Sequence, residues 1–188
     1  MAPTTRAIRL LSIAMASMIM LLVLPLLGSL PPAHARPAAS CAAAKVVARA
    51  ARDFMKAGKS GSPAALARAL KRHVHMRRVM LFALGRHARK LSPAQKALYI
   101  RRATRYASRQ LAQVGRGVKS GKVEIISCRG NRVVTRIGSS KVIWKIRGGR
   151  IIDVNFRGMW MAQLLRGRFR RMLRESNNNM ATFLARLN

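Results

Sequence analysis

Few residues in this chain are equipped for chemistry. Its 188 residues hold four carboxylates, Asp53, Glu124, Asp153 and Glu175, and four histidines. Paired-carboxylate hydrolysis, an EF-hand and a carboxylate-rich two-metal centre each need acids gathered at one place, and four scattered acids do not supply them. His73 and His75 tempt a zinc reading, but positions i and i+2 do not share a helix face and no carboxylate is near them in sequence. No Ser-His-Asp or Cys-His context is recognisable. Asp153 sits in an alternating apolar run, so its expected role is a structural ion pair with an arginine rather than catalysis. The reading is therefore a protein that is not an enzyme, with no catalytic residue, no metal site and no cofactor. Cys41 and Cys128 allow one disulfide or two buried free thiols, and both readings stay open. If formed, the bond closes a loop long enough to contribute on the order of 4 kcal/mol in the chain-entropy picture.

Residues 1–35 read as a cleaved secretory signal. Arg6 and Arg9 form a basic start, Leu10 to Leu27 is an apolar run broken by Pro25, and Ala33-His34-Ala35 is an A-x-A cleavage site before Arg36. Ala38-Ala39-Ser40 is a poor lipobox for Cys41. The expected organisation is a signal peptide over 1–35 and one domain over 36–188, delivered to the periplasm, an oxidising compartment. The whole chain carries 38 basic and 4 acidic residues, a formal charge of +34. Such a charge points to an anionic partner: nucleic acid, an anionic membrane surface or lipid A. Export argues against chromosomal DNA, and only nine aromatics, with no aromatic-and-basic motif, argue against single-strand binding. An anionic membrane surface is the expected partner, and no nucleic acid.

The elements that must position any site follow from periodicity. Ala43, Val47, Ala50 and Phe54 mark a helix over about 41–57. Ser62-Pro63 starts a second, serine as N-cap and proline at the first helical position. Met76, Val79, Met80, Ala83 and Leu84 mark a third, ending at Gly85. Ser92-Pro93-Ala94-Gln95 has capping-box spacing and opens a long helix to Gly115. Arg101, Arg102, Arg105 and Arg109 are expected on its polar face. Four period-two runs follow, 122–128, 131–138, 141–147 and 150–157, separated by glycine-bearing turns. Val133, Thr135, Ile137, Val142, Trp144, Ile146, Ile152, Val154 and Phe156 are expected on the buried face, with Arg132, Arg136, Lys141, Lys145 and Arg147 outward. Two more helices carry Met161, Leu165 and Phe169, then Met180 to Leu187. The fold class expected is α+β: a curved, four-stranded antiparallel meander packed on one face by helices, with an apolar cavity between the layers.

At this level the chain resembles the MlaC/toluene-tolerance family, the periplasmic phospholipid-binding component of an ABC-type lipid transport system. The residues that carry the resemblance are Val74-His75-Met76-Arg77-Arg78, Leu84-Gly85-Arg86, Leu91-Ser92-Pro93-Ala94-Gln95, Val142-Ile143-Trp144-Lys145-Ile146, Arg150-Ile151-Ile152-Asp153-Val154, Gly158-Met159-Trp160-Met161 and Arg166-Gly167-Arg168-Phe169. They occur in order over about 74–187. The chain departs from the family where His75, Arg157 and Arg168 stand in place of acids and Trp160 in place of a small hydroxyl residue. These departures alter the surfaces on which the family docks its partners.

The resemblance implies a carrier that holds a phospholipid or related lipid and catalyses nothing. It implies as partners an inner-membrane ABC transporter complex and an outer-membrane lipoprotein complex. The apolar residues expected to line the lipid site are Met76, Met80, Tyr99, Ala103, Tyr106, Val133, Ile137, Trp144, Ile146, Val154, Phe156, Met161, Leu165 and Phe169. Periodicity alone reads the same residues as plain core. Tyr99 and Tyr106 either place hydroxyls at a mouth or pack inside. The alternative function is a secreted basic protein that binds nucleic acid or an anionic polymer through surface charge.

Overall fold

The structure, a computed structural model, describes residues 41–115 and 122–188. The signal expected over 1–35 lies outside them. Helix α1 (Ala42–Lys59) starts at Cys41, whose Sγ accepts from the Ala44 N–H at 3.3 Å. Helix α2 (Pro63–His73) starts at Ser62, whose hydroxyl accepts from the Ala65 N–H, with Pro63 in the first turn. Helix α3 (Met76–Leu84) runs into a 3-10 helix, Gly85–Lys90. Helix α4 (Pro93–Gly115) begins at the expected capping box. Ser92 N–H donates to Gln95 Oε1 at 2.9 Å, and Gln95 N–H donates back to Ser92 Oγ at 3.2 Å. Helices α5 (Met161–Glu175) and α6 (Met180–Arg186) end the chain.

Between α4 and α5 lies one antiparallel sheet, ordered as in the sequence: β1 (Val123–Arg129), β2 (Arg132–Ile137), β3 (Ser140–Arg147), β4 (Arg150–Phe156) and β5 (Met159–Trp160). The class is α+β, but the meander has five strands rather than four. The fifth is two residues long, too short for alternation to reveal, and pairs Trp160 with Asn155 and Met159 with Phe156. Its turn is a tight two-residue hairpin in which Arg157 and Gly158 both take positive φ, 50° and 81°. The right-handed twist of paired strands favours that geometry.

Two bulges shape the sheet. Ile146 faces Ile151 while Lys145 faces Asp153, so β4 carries one extra residue, Ile152. This corrects the expected inner face: Ile151, not Ile152, is buried with Val154 and Phe156 on its side. In β1 the pairing skips Ile126, and Cys128 is turned onto the inner face opposite Val133. Each bulge bends its strand and increases local twist. There Cys128 meets the start of α1, and Cys41 and Cys128 are joined as a disulfide with Cα atoms 6.5 Å apart. Helix α1 packs on β1 and β2, α3 and α5 pack on β4, and α4 packs against α1, α2 and α3. The exposed side of β4 beyond β5 is covered by the α2–α3 link, where His75 N–H donates to the Ile151 carbonyl at 2.8 Å.

Candidate functional site

The apolar wedge between sheet and helices is built from both layers. From the sheet come Val133, Val142, Trp144 and Ile146, all buried, with Thr135 among them. Trp144 Nε1–H donates to Thr135 Oγ1 at 2.9 Å, which satisfies the two polar groups on this face. From the helices come four rings. Phe169 of α5 lies edge-on to Tyr99 of α4 and Phe183 of α6, at centroid distances of 6.1 and 5.8 Å, and tilted against Tyr106 at 5.8 Å. Edge-to-face and tilted contacts at this range are the favoured aromatic geometries.

The residues expected to line a cavity form a gradient. Met80, Tyr99, Ala103, Val133 and Phe169 have essentially no solvent access, and Met76, Trp144 and Ile146 are buried. At these positions the wedge is packed shut, where an open apolar cavity had been expected: large rings from three helices fill the space. Tyr106, Ile137, Val154, Phe156, Met161 and Leu165 are half-buried and, Met161 apart, packed against the same core. Ile137 faces Val123 across β1, and Phe156 faces Val142 across β3. The half-buried sheet residues Val123, Ile137 and Phe156 therefore gather at the end of the sheet that carries the β2–β3 turn.

The Tyr99 hydroxyl is not at a mouth. It donates to the Met80 carbonyl at 2.7 Å, inside the core. Burial pushes its ionisation well above the ordinary tyrosine value of 10.0. The sign follows directly. The folded state refuses the charge, while the unfolded chain ionises near pH 10, so this contribution is intact below that pH and lost as pH rises above it. Tyr99→Phe should lower stability near neutral pH by about 1 kcal/mol through the lost hydrogen bond. It should also flatten the alkaline fall, measured as melting temperature between pH 8 and pH 11.

Every acid is engaged. Asp53 Oδ2 meets His73 Nε2 at 2.7 Å and Arg72 Nη1 at 3.2 Å. The His73 hydrogen bond is the main reason its carboxyl is held below the ordinary range. Glu124 pairs with Arg136 at 3.6 Å and Glu175 with Arg186 at 3.1 Å. Asp153 corrects the expectation of an arginine ion pair. Its Oδ1 accepts from the Val154 N–H at 2.9 Å and the Ala162 N–H at 3.0 Å. Trp160, at the N-cap of α5, offers no side-chain acceptor, so Asp153 caps that helix from the neighbouring strand. Among the described residues no three His, Cys, Asp or Glu side chains gather as a metal site would need, and no helix is long and apolar enough to cross a membrane.

The arginine face expected on α4 is split. Arg101 and Arg105 are exposed. Arg109 is drawn inward, donating to the Leu187 carbonyl at 2.9 Å. Arg102 is half-buried, and its Nε is the single buried side-chain polar atom without a partner among the described residues. Arg102 flanks the apolar stripe between Tyr99 and Tyr106, one turn from each. Sequence reasoning placed it on the solvent side, since only burial by neighbouring elements distinguishes it from Arg101. His75 and Arg157 are exposed, and Arg168 is exposed and donates to Gln110 Oε1 at 2.7 Å.

A family model described as MlaC protein matches residues 42–188. Among solved structures, the phospholipid-binding protein from Ralstonia solanacearum in complex with a phospholipid is similar at a TM-score of 0.61 and 14% identity. The match covers 76% of this chain and 93% of that one. No curated protein sequence matches the chain.

Proposed function

The chain belongs to the MlaC protein family, and from that premise we propose that it is a periplasmic carrier of a phospholipid or related lipid, performing no chemistry on it. Acyl chains would enter the wedge past Ile137, Phe156 and Leu165, toward Trp144 and the Phe169 rings. The head group would be drawn to half-buried Arg102, one turn from half-buried Tyr106, where a phosphate would satisfy its unpartnered Nε. The carrier would take lipid from, and give it to, membrane partners: an inner-membrane ABC transporter complex and an outer-membrane lipoprotein complex.

The observation that carries this reading is the graded wedge, fully buried at Tyr99 and Phe169 and half-buried at Ile137, Phe156 and Leu165. The structural relative holding a phospholipid supports it. The energetics allow it. Burying a tail of about fifteen methylenes is worth roughly 12 kcal/mol. That is enough to part packed side chains, whose displaced contacts the tail replaces.

The test is uptake. Lipid-free protein is mixed with vesicles carrying a fluorescent phospholipid, separated from them, and assayed for bound label. The wild type should retain close to one lipid per protein. Arg102→Gln should reduce retention at least threefold with its melting temperature within a few degrees. Failure of the wild type to retain any label would count against the carrier reading. Full retention by Arg102→Gln would remove that arginine from the head-group site.

A further inference from the structure

The outer face of the sheet carries a second concavity, at the end that bears the β2–β3 turn. It is an open cleft of about 460 Å³ lined by Ser139, Ser140, Lys141, Ile143, Asn155 and Arg157. It lies where the β2–β3 and β4–β5 turns come side by side, with Ile143 and Asn155 in register on neighbouring strands forming its floor. Trp160 stands next to Asn155 in register across β5, with Lys145 Nζ held 3.9 Å above its ring.

From this geometry we infer a binding site for a phosphate-type anion. Lys141 and Arg157 are exposed cations on the cleft walls, and neither has a carboxylate partner among the described residues. No acid lines the cleft. The sheet's two acids are committed elsewhere, Glu124 to Arg136 and Asp153 to the start of α5. Two serines offer hydroxyls beside the cations, the donor set a phosphoryl group takes. The second, independent observation is Asn155. It is only 8% exposed, it lines the cleft, and its side-chain amide makes no hydrogen bond among the described residues. The residue is largely enclosed, yet its amide is not among the buried unpartnered atoms, so what solvent access it has opens on the cleft, where a ligand can reach it. Arg157 adds a mark of design: it takes a positive φ of 50°, where glycine or asparagine is favoured. Its guanidinium also reaches over the Phe156 ring, 5.3 Å from the centroid. The site stands whether or not the wedge carries lipid. The ligand is either a soluble phosphate ester or the phosphomonoester head group of a membrane lipid.

Backbone-amide NMR of the isotope-labelled protein, titrated with inorganic phosphate against chloride at equal ionic strength, tests the site. Saturable shifts are expected at Ser139 to Lys141 and Asn155 to Gly158. Lys141→Gln combined with Arg157→Asn should weaken the apparent affinity at least tenfold. Asparagine tolerates the turn, so the melting temperature should hold or rise. Asn155→Ala leaves the charge untouched and should still cost threefold or more, which diffuse attraction would not. Vesicles containing phosphatidic acid, compared with phosphatidylglycerol at matched surface charge, separate the two sources. Displacement of phosphate by the former identifies the head group, and no displacement identifies a soluble ester. Shifts that grow without saturation across arginines such as Arg77 and Arg170, or that persist unchanged in the double variant, would overturn the site.

Discussion

Replacing both cysteines, Cys41→Ser with Cys128→Ser, is expected to lower the melting temperature by roughly 10–15 °C. The bond spans 87 positions. Releasing a loop of that length restores chain entropy worth on the order of 4 kcal/mol to the unfolded state. A domain of this size shifts by about 2–4 °C per kcal/mol. The choice of serine isolates the cross-link. Cys41 also caps α1 through its Sγ, and a serine oxygen keeps an acceptor there. Wild-type protein held in reductant should melt with the double variant. A loss of under 3 °C would mean that packing of α1 on β1 and β2 already does the work assigned to the bond.

Phe169→Ala is the second large effect, with an expected cost of about 3–5 kcal/mol. Phe169 has no solvent access and is ringed by Tyr99, Tyr106 and Phe183. Truncation removes the transfer energy of the ring. It also leaves a void among rings from three helices, of which α5 is held on β4, α6 on α5 and α4 on the other helices, so little collapse is available to refill it. Phe82→Ala is the matched comparison. Phe82 is 44% exposed and touched by the Arg166 guanidinium at 5.1 Å, and its loss should cost under 1 kcal/mol. Denaturant melts of both variants give the contrast directly. Similar costs at the two positions would show that the ring cluster is not the structural hub of the wedge.

Local chemistry made much of the fold readable before any coordinates. The capping box at Ser92 and Gln95, the proline at position 63 and the glycine-bearing turns mark element ends through contacts a few residues long, and the structure forms them as such. What escaped depends on residues distant in the chain. Ile151 and Ile152 are both apolar, so alternation cannot say which faces inward; the register of β4 against β3 decides it. The bulge at Ile126, which turns Cys128 toward Cys41, is silent for the same reason. Asp153 caps α5 from another element, nine residues from Ala162. The wedge-lining set was legible as a set because helix and strand periods mark inward faces. Its division into fully buried and half-buried positions was not, because that depends on how rings from α4, α5 and α6 meet. Arg102 gave no sequence signal either, since an unpartnered buried polar atom is a property of the surroundings.

The apolar wedge and the cationic sheet face make separable predictions about salt. Lipid held in the wedge is kept by apolar burial and should stay bound as ionic strength rises. Attraction of the exposed Arg132, Arg136, Lys141 and Lys145 face to anionic bilayers should fade as the screening length falls to about 8 Å.

The carrier reading meets its most direct test in the contents of the protein itself. Protein purified from the periplasm under mild conditions is extracted with organic solvent, and the extract is analysed by mass spectrometry. Recovery of phospholipid or a related amphiphile near one molecule per chain, undiminished by a high-salt wash, is the result predicted. An extract free of lipid, from protein that holds oligonucleotide more tightly than anionic vesicles at matched salt, would contradict it.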